Sequence, residues 1–248
     1  MRIAVAGATG QIGKLTIAAL DAAGHQTVQL SRGAGVDAYA GRGLADAVAG
    51  ADVLIDVTNN PSQDEAEIVD FFGTVTRNLL AAGEKAGVRH HVLLSIVGID
   101  HNRRTPHYAG KREQERLVAS GPMPWSIVRA TQFHDFAAMV AGWAERDGTA
   151  AIAPLLVQPI APADVAAILA DVAADPPLGY RLDIAGPQTE DLVDMARRTF
   201  AARGQDIRLV PTWRGPFGPD QAGEALLPGD GARLGAISFE DWLAAGAR

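Results

Sequence analysis

Met1-Arg2-Ile3-Ala4-Val5-Ala6-Gly7-Ala8-Thr9-Gly10-Gln11-Ile12-Gly13 opens the chain, and its reading decides the fold. Arg2 to Ala6 is an apolar run long enough for one buried strand. A glycine-rich turn follows, then a helical pattern through Leu20. Strand, glycine turn and helix in that order form a dinucleotide-binding entrance. Gly7 permits the tight turn out of the strand. Gly10 has no Cβ, so backbone there can approach a pyrophosphate closely. Gly13 lets the helix lie close on the sheet. The helix begins with unpaired N–H groups and a partial positive charge that suit phosphates. The spacing is G-x-x-G-x-x-G rather than the commoner G-x-G-x-x-G.

Outward from this turn, strand and helix alternate. The pattern predicts a helix from about Gly10 to Ala23, with Ile12, Leu15 and Ala19 facing inward. Strands are expected at Gln26–Leu30, Gly35–Ala38, Asp52–Val57, His91–Val97 and Trp125–Arg129. Helices are expected at Gly41–Ala49, Gln63–Ala86 and Pro106–Ala119, the last preceded by a polar loop over Gly98–Thr105. This is a doubly wound parallel sheet, an α/β Rossmann architecture. After Gln132 the alternation loosens. Helices are expected at Phe133–Arg146, Pro162–Ala174, Thr189–Ala202 and Phe239–Ala245, with short strands at Ala150–Ile152, Leu155–Val157, Tyr180–Ile184 and Ile207–Val210. Pro211–Gly231, rich in glycine and proline, reads as a loop or lid. We therefore expect one nucleotide-binding unit over 1–248. Residues 1–132 are mainly core, and 133–248 mainly a smaller substrate lobe interleaved with it.

Composition narrows the partners. The 248 residues carry 22 basic and 29 acidic side chains, a net charge of −7. That excess of acid disfavours nucleic acid or an anionic membrane as partner. With no cysteine, disulfides and thiol catalysis are excluded. No apolar run reaches the roughly 18–20 residues of a membrane span, and no secretory pattern opens the chain. A cytoplasmic protein acting on a small molecule is the expectation. No His, Asp or Glu spacing suggests a metal site.

In an open α/β sheet, ligands collect beyond the carboxyl ends of the strands. The second strand ends at Ser31-Arg32, and no acid lies between Gln26 and Val36 to hold a ribose 2′-hydroxyl. The Arg32 fork suits a 2′-phosphate instead, which favours NADP(H) over NAD(H). Asp37 reads equally as an adenine contact or a turn aspartate. Val57-Thr58-Asn59 either lines the ligand path or is turn chemistry before Asn60-Pro61. Ser95 is either a hydroxyl near the reacting ring or a satisfied core group. Tyr108 and Lys111 are three apart on one helix face. A cation there would lower the phenol's pKa and make Tyr108 a proton donor; the alternative is a surface pair. Lys111 with Glu115 reads as a surface ion pair, and His134-Asp135 as a capping or solvated pair rather than a substrate contact.

The chain resembles the NmrA-like branch of the atypical short-chain dehydrogenases/reductases. The resemblance is carried by Gly7 to Gly13, Ser31-Arg32, Val57-Thr58-Asn59, Leu94 to Gly98, Lys111 with Gln114-Glu115, Trp125 to Phe133 and Ile184 to Pro187. It implies NAD(P) bound along Gly7, Thr9, Gly10, Gln11 and Ile12, with Arg32 at the 2′-phosphate. It also implies Lys111 at the nicotinamide ribose, and Thr131 to Phe133 bordering the nicotinamide. One departure stands out. The superfamily's Tyr-x-x-x-Lys would put tyrosine at position 107, which is His107; Tyr108 is three residues before Lys111. The proton donor is therefore Tyr108, His107 or water. The expected activity is NADPH-dependent reduction of an apolar carbonyl or quinone. The alternatives are a non-catalytic redox sensor and a cofactor-dependent isomerase or epimerase.

Overall fold

A computed structural model describes residues 1–100, 105–214 and 217–246. The parts of the loops read over Gly98–Thr105 and Pro211–Gly231 that fall at 101–104 and 215–216 lie outside the described residues. The chain runs β1 (Arg2–Ala6), α1 (Gln11–Ala22), β2 (Gln26–Leu30), α2 (Leu44–Val48), β3 (Val53–Asp56), α3 (Glu65–Ala86), β4 (His90–Ile96), α4 (Pro106–Ala119) and β5 (Trp125–Ala130). It continues through α5 (Phe136–Ala144), β6 (Glu145–Arg146), β7 (Thr149–Ile152), β8 (Leu156–Val157), α6 (Pro162–Ala174) and β9 (Arg181–Ala185). It ends with β10 (Glu190–Asp191), α7 (Leu192–Ala202), β11 (Arg208–Pro211), β12 (Arg233–Leu234) and α8 (Phe239–Ala244). Seven strands form one sheet in the order β12-β9-β5-β4-β3-β1-β2. In its parallel register Ile3 lies opposite Thr27 and Val53, and Val53 opposite His90. The fold is a Rossmann-like α/β fold.

The chain divides into two compact units, residues 1–129 with 165–182, and residues 130–164 with 183–248. In the first, Ala4, Ala6 and Leu54 of the sheet pack under Val75, Leu79 and Leu80 of α3 and Leu44 and Val48 of α2. The Asp64 side chain caps α3 by accepting from Glu67 N at 2.9 Å, and Gly87 ends it at φ +74°. Its buried face includes Ile68, Phe72, Val75, Leu79 and Leu80, the residues its 3.6-residue period picks out. Gly110 brings α4 hard against α3: a Cβ there would lie 2.5 Å from side-chain carbons of Ile68 and Phe72.

Two local expectations fail in this unit. The buried face of α1 is Ile12, Thr16, Ile17 and Leu20, not Leu15 and Ala19. The short apolar run misplaced the stripe by about one residue. Gly35–Ala38 is no strand. A 3₁₀ turn at Arg32–Ala34 ends at Gly35 in the left-handed region, and Asp37 makes only an isolated bridge to Arg42.

The second unit has its own core. Val140 and Ala141 of α5, Ile152 of β7, Met195 and Phe200 of α7, and Phe239 of α8 are all buried there. β7 pairs with β6 and β11, and β8 with β10. α7 starts later than expected because Glu190 and Asp191 pair with β8 before the Asp191 carboxylate caps the helix at Asp194 N. Within the expected loop, Phe217, Gln221 and Leu226 are buried. No helix among the described residues is long and apolar enough to cross a membrane.

Candidate functional site

The glycine turn does what its spacing requires. Gly7 sits at φ +81°, and a Cβ on it would come within 2.6 Å of the Val57 carbonyl oxygen. A Cβ on Gly13 would lie 2.2 Å from Gly7 O, so α1 rests directly on the turn. Gly10 is the N-cap of α1 with no side-chain cap of its own, and its N–H donates to Gly7 O at 3.0 Å. Thr9, Gly10 and Gln11 are exposed and Ile12 is buried. Val57 thereby borders the turn. Asn59 is exposed, while the Thr58 side chain turns inward.

Past β2, Ser31 caps the 3₁₀ turn by accepting from Ala34 N at 3.3 Å. Arg32 is exposed on that turn and forms no ion pair among the described residues. Asp37 is a turn aspartate: it accepts from Tyr39 N and Ala40 N at 3.1 and 3.0 Å and from Arg42 at 3.3 Å. Asn78 of α3 donates to the carbonyls of Ala38 and Tyr39, both at 2.9 Å, and the Tyr39 hydroxyl donates to Asp70 at 2.5 Å.

Beneath the strand ends lies a buried polar chain that the sequence reading missed. Asp56, fully buried at the end of β3, accepts from Thr58 N at 2.9 Å, Thr58 Oγ1 at 2.7 Å and Gln114 Nε2 at 2.7 Å. Lys111 donates to Gln114 Oε1 at 2.9 Å, Leu94 O at 3.0 Å and Thr58 O at 3.3 Å. The signal was an acid inside the apolar run Val53-Leu54-Ile55-Asp56-Val57, since a buried carboxylate needs partners. Lys111 thereby ties Gln114 to the ends of β3 and β4. An ammonium has three N–H bonds, and here protein acceptors take all three. Its Nζ also sits 4.6 Å from the Phe72 ring centroid. Burial lowers its pKa from 10.5 to about 8, although Asp56 and Glu115 pull the other way.

Lys111→Met should therefore destabilise the fold by about 3–5 kcal/mol, the cost of breaking a buried charged network from one side. The sign of its pH dependence follows. Between pH 8 and 10.5 the folded lysine binds fewer protons than the unfolded one, so its contribution makes stability rise with pH, by at most about 1.4 kcal/mol per pH unit. Denaturant melts of both proteins across that range should show the slope in the wild type and its loss in the variant. Equal slopes would refute the assignment.

The expected Lys111–Glu115 surface pair is also corrected. Glu115 is 3% exposed, and its carboxylate takes Arg129 at 2.8 and 2.7 Å and Arg181 at 2.7 Å. Burial opposes its charge, but the bonds from Arg129, Ser95 and Arg181 overcome it and hold the carboxyl below the usual range. Ser95 is buried beside this carboxylate, though its hydroxyl makes no hydrogen bond of full geometry among the described residues. Arg129 reaches on to Asp100 at 2.7 Å.

The departure at position 107 takes physical form on α4. The His107 ring meets Phe72 edge to face at 5.5 Å. Burial, then the charge of Lys111, lowers its pKa to about 4 against a bond with the Asn60 backbone. Tyr108 is 9% exposed, and burial pushes its phenol up to about 12. The expectation that Lys111 lowers the Tyr108 pKa is thus overturned, because burial dominates.

In the second unit, Thr131 donates from N to Ile184 O at 3.0 Å and from Oγ1 to Gln158 O at 2.6 Å. Phe133 bridges to Ile160. His134 is neither solvated nor a cap. It is fully buried against Phe239 and Trp242, with Nε2 3.1 Å from Ile237 O. Burial lowers its pKa.

A Rossmann sheet with a phosphate-binding turn at its first strand defines the class, an NAD(P)-binding protein. The sequence profile of the NAD(P)H-binding family matches residues 7–176, and the chain belongs to that family. The NmrA-like resemblance agrees with this. A short-chain dehydrogenase/reductase superfamily protein from Agrobacterium tumefaciens with bound NAD is similar in structure, with TM-score 0.74 and 19% identity over 100% of this chain and 96% of that one. A dTDP-4-dehydrorhamnose reductase from Clostridium acetobutylicum gives 0.75 and 17% over 98% of each. An NADPH-dependent quinone oxidoreductase from Escherichia coli gives 0.69 and 18% over 99% and 100%. At these identities the likeness is one of fold. No curated protein matches the chain significantly in sequence.

Proposed function

We propose that this protein is an oxidoreductase that uses NADPH to reduce a small or medium apolar carbonyl or quinone. The observation that carries the cofactor choice is the contrast at the end of β2. Asp37, the nearest acid, is spent on Tyr39, Ala40 and Arg42, while Arg32 is exposed without an ion pair among the described residues. A cationic fork there fits a 2′-phosphate. When bound, the reduced nicotinamide supplies the hydride. Gly7, Thr9, Gly10, Gln11 and Ile12 take the pyrophosphate, and Ser31 and Arg32 the 2′-phosphate. Val57 and Asn59 line the path between. Thr131 and Phe133 border the ring, and residues 133–248 supply most of the substrate lobe. Tyr108 keeps its proton at neutral pH and donates it to a reduced carbonyl. Lys111, which ties the ends of β3 and β4, stands at the nicotinamide ribose; Ser95, beside Glu115, stands near the reacting ring; and Thr58, which completes Asp56, borders the ligand path. We place the protein in the cytoplasm.

Arg32→Ala should weaken NADPH binding by about 1.5–3 kcal/mol, the scale of charge-assisted hydrogen bonds, and leave NADH binding nearly unchanged. Equal losses for both cofactors would remove Arg32 from the 2′-phosphate. Steady NADPH consumption over a panel of quinones, aldehydes and enones tests the activity itself. Tight binding without turnover on any of them would favour a redox sensor instead.

A further inference from the structure

Gln114, fully buried on α4, stands between two groups that cannot exchange roles. A carboxylate only accepts hydrogen bonds and an ammonium only donates them. Gln114 Nε2 donates to Asp56 Oδ2 at 2.7 Å, and its Oε1 accepts from Lys111 Nζ at 2.9 Å. The direction starts further back, at a backbone N–H that can only donate: Thr58 N gives to Asp56 Oδ1 at 2.9 Å. From there the chain of bonds has one polarity, through Asp56 and Gln114 to Lys111. Position 114 needs an amide for this, because neither a carboxylate nor an apolar side chain both donates and accepts. The titratable groups acting on Lys111 are Asp56 of β3 and Glu115 and His107 of α4, while α3 presents the Phe72 ring. His91 of β4 acts in turn on Asp56. Among the described residues, Asp56 is the one of these joined to Lys111 through hydrogen bonds, since Glu115 is taken by Arg129 and Arg181.

We propose that Asp56 is a positioning residue for Lys111 and that Gln114 transmits its effect: the carboxylate fixes which way the amide points, and the amide oxygen holds the ammonium charged between the ends of β3 and β4. A change of one atom shows what is at stake. In Asp56→Asn the new side chain must keep its oxygen toward Thr58 N, which leaves its NH₂ facing Gln114. Gln114 then turns over and aims Nε2 at Lys111, and only an uncharged amine accepts that bond. Asp56→Asn with Gln114→Glu sets the direction right again. The NH₂ at position 56 donates to the carboxylate at 114, whose other oxygen takes the ammonium. The bond from Lys111 to Thr58 O, at 3.3 Å, is the longest of its three and is the one given up to a ribose hydroxyl. That last step rests on the reading that Lys111 stands at the nicotinamide ribose; the direction of the chain does not.

Lys14 and Lys85, the other lysines of the sequence, are exposed, so the buried Lys111 can be followed by NMR of protein labelled at the lysine ε-carbon. Its titration midpoint is measured without cofactor, with thermal unfolding as the check on folding. The wild type should titrate near pH 8. Asp56→Asn should bring the midpoint below about 7, and adding Gln114→Glu should return it to the wild-type value or above. In Gln114→Met, where the chain is cut, Asp56→Asn should move the midpoint by less than about half as much. An equal move would make the bare charge of Asp56 sufficient and overturn the proposal, as would a folded double variant that does not recover the midpoint. If either single variant fails to fold, the double variant decides: recovery of fold and midpoint supports the chain, and failure to recover overturns it. Binding supplies the functional readout. Asp56→Asn should bind NADPH at least about tenfold more weakly, yet hold 2′,5′-ADP, which lacks the nicotinamide riboside, within about threefold of the wild type. Midpoints that move as expected while NADPH affinity stays unchanged would uphold the chain and strike the ribose reading instead.

Discussion

Gly10→Val should abolish dinucleotide binding while leaving the protein folded. The three glycines of the turn are not equivalent. Gly7 is required by the chain itself, through φ +81° and a Val57 oxygen 2.6 Å from where a Cβ would stand. Gly13 is required too, with Gly7 O at 2.2 Å. Gly10 is different. Its φ of −73° and ψ of 173° suit any residue, and the one heavy atom near a Cβ there is Gly7 O at 3.3 Å. As an N-cap, valine is worse than glycine by about 1 kcal/mol, which a domain of this size survives. The fold asks of position 10 only that Gly7 O give by a few tenths of an ångström, and the proposed reason for glycine there is the close approach of a pyrophosphate. Binding should fall by at least ~10²-fold while thermal unfolding shifts by a few degrees. Normal NADPH binding by the valine variant would remove the phosphate assignment. Gly13→Val, as the contrast, should fail first in stability.

Tyr108→Phe should lower kcat for a ketone by ~10²–10⁴, the usual weight of general acid catalysis, while His107→Gln costs far less. The two residues are separated by their protonation. With a pKa near 4, His107 is neutral at pH 6 and above and carries no proton of imidazolium acidity. With a pKa near 12, Tyr108 stays protonated to pH 9 and beyond. Neither group changes charge between about pH 6 and 9, so ketone turnover should show no limb near 6.5 from His107. A quinone should be less sensitive to Tyr108→Phe, since its reduced product is a stabilised anion that water can protonate. Measuring both variants on one ketone and one quinone across that range decides the matter. A pH limb that disappears in His107→Gln, with Tyr108→Phe silent, would sink the assignment.

Much of the fold was legible because its signals are local. Pro106 starts α4, Gly87 ends α3, and Val53 to Ile55 are apolar throughout, as a strand covered on both faces requires. The failures have a common cause. Glu115 was read against Lys111, four residues before it on the same helix, but its real partners, Arg129 and Arg181, come from two distant strands. Spacing along a helix finds neighbours on that helix and is blind to what the sheet presents. Tyr108 failed similarly: a cation three residues away was visible, whereas burial, which governs its phenol, is a property of the packed whole. Asp37 was legible as a turn residue, yet Gly35 and Val36 beside it imitated a strand. Gly7 and Gly13 were legible because backbone geometry alone dictates them. Gln114 was only part of a family segment in the sequence; the direction of its amide emerges once the bonds at both of its ends are counted.

The tethered segment after β2 has a kinetic consequence. Asn78 holds the carbonyls of Ala38 and Tyr39, the Tyr39 ring stacks on Phe71 at 5.9 Å, and Val36 N donates to Ser31 O at 2.9 Å. The backbone that carries Arg32 is therefore held by the chain's own bonds. The conformational entropy of ordering it is spent during folding rather than at binding. If Arg32 holds the adenosine end as proposed, capture there needs no loop closure, and the association rate should follow diffusion and local charge, falling with salt as the Arg32 attraction is screened. Differences in affinity between cofactors would then reside in how fast each one leaves.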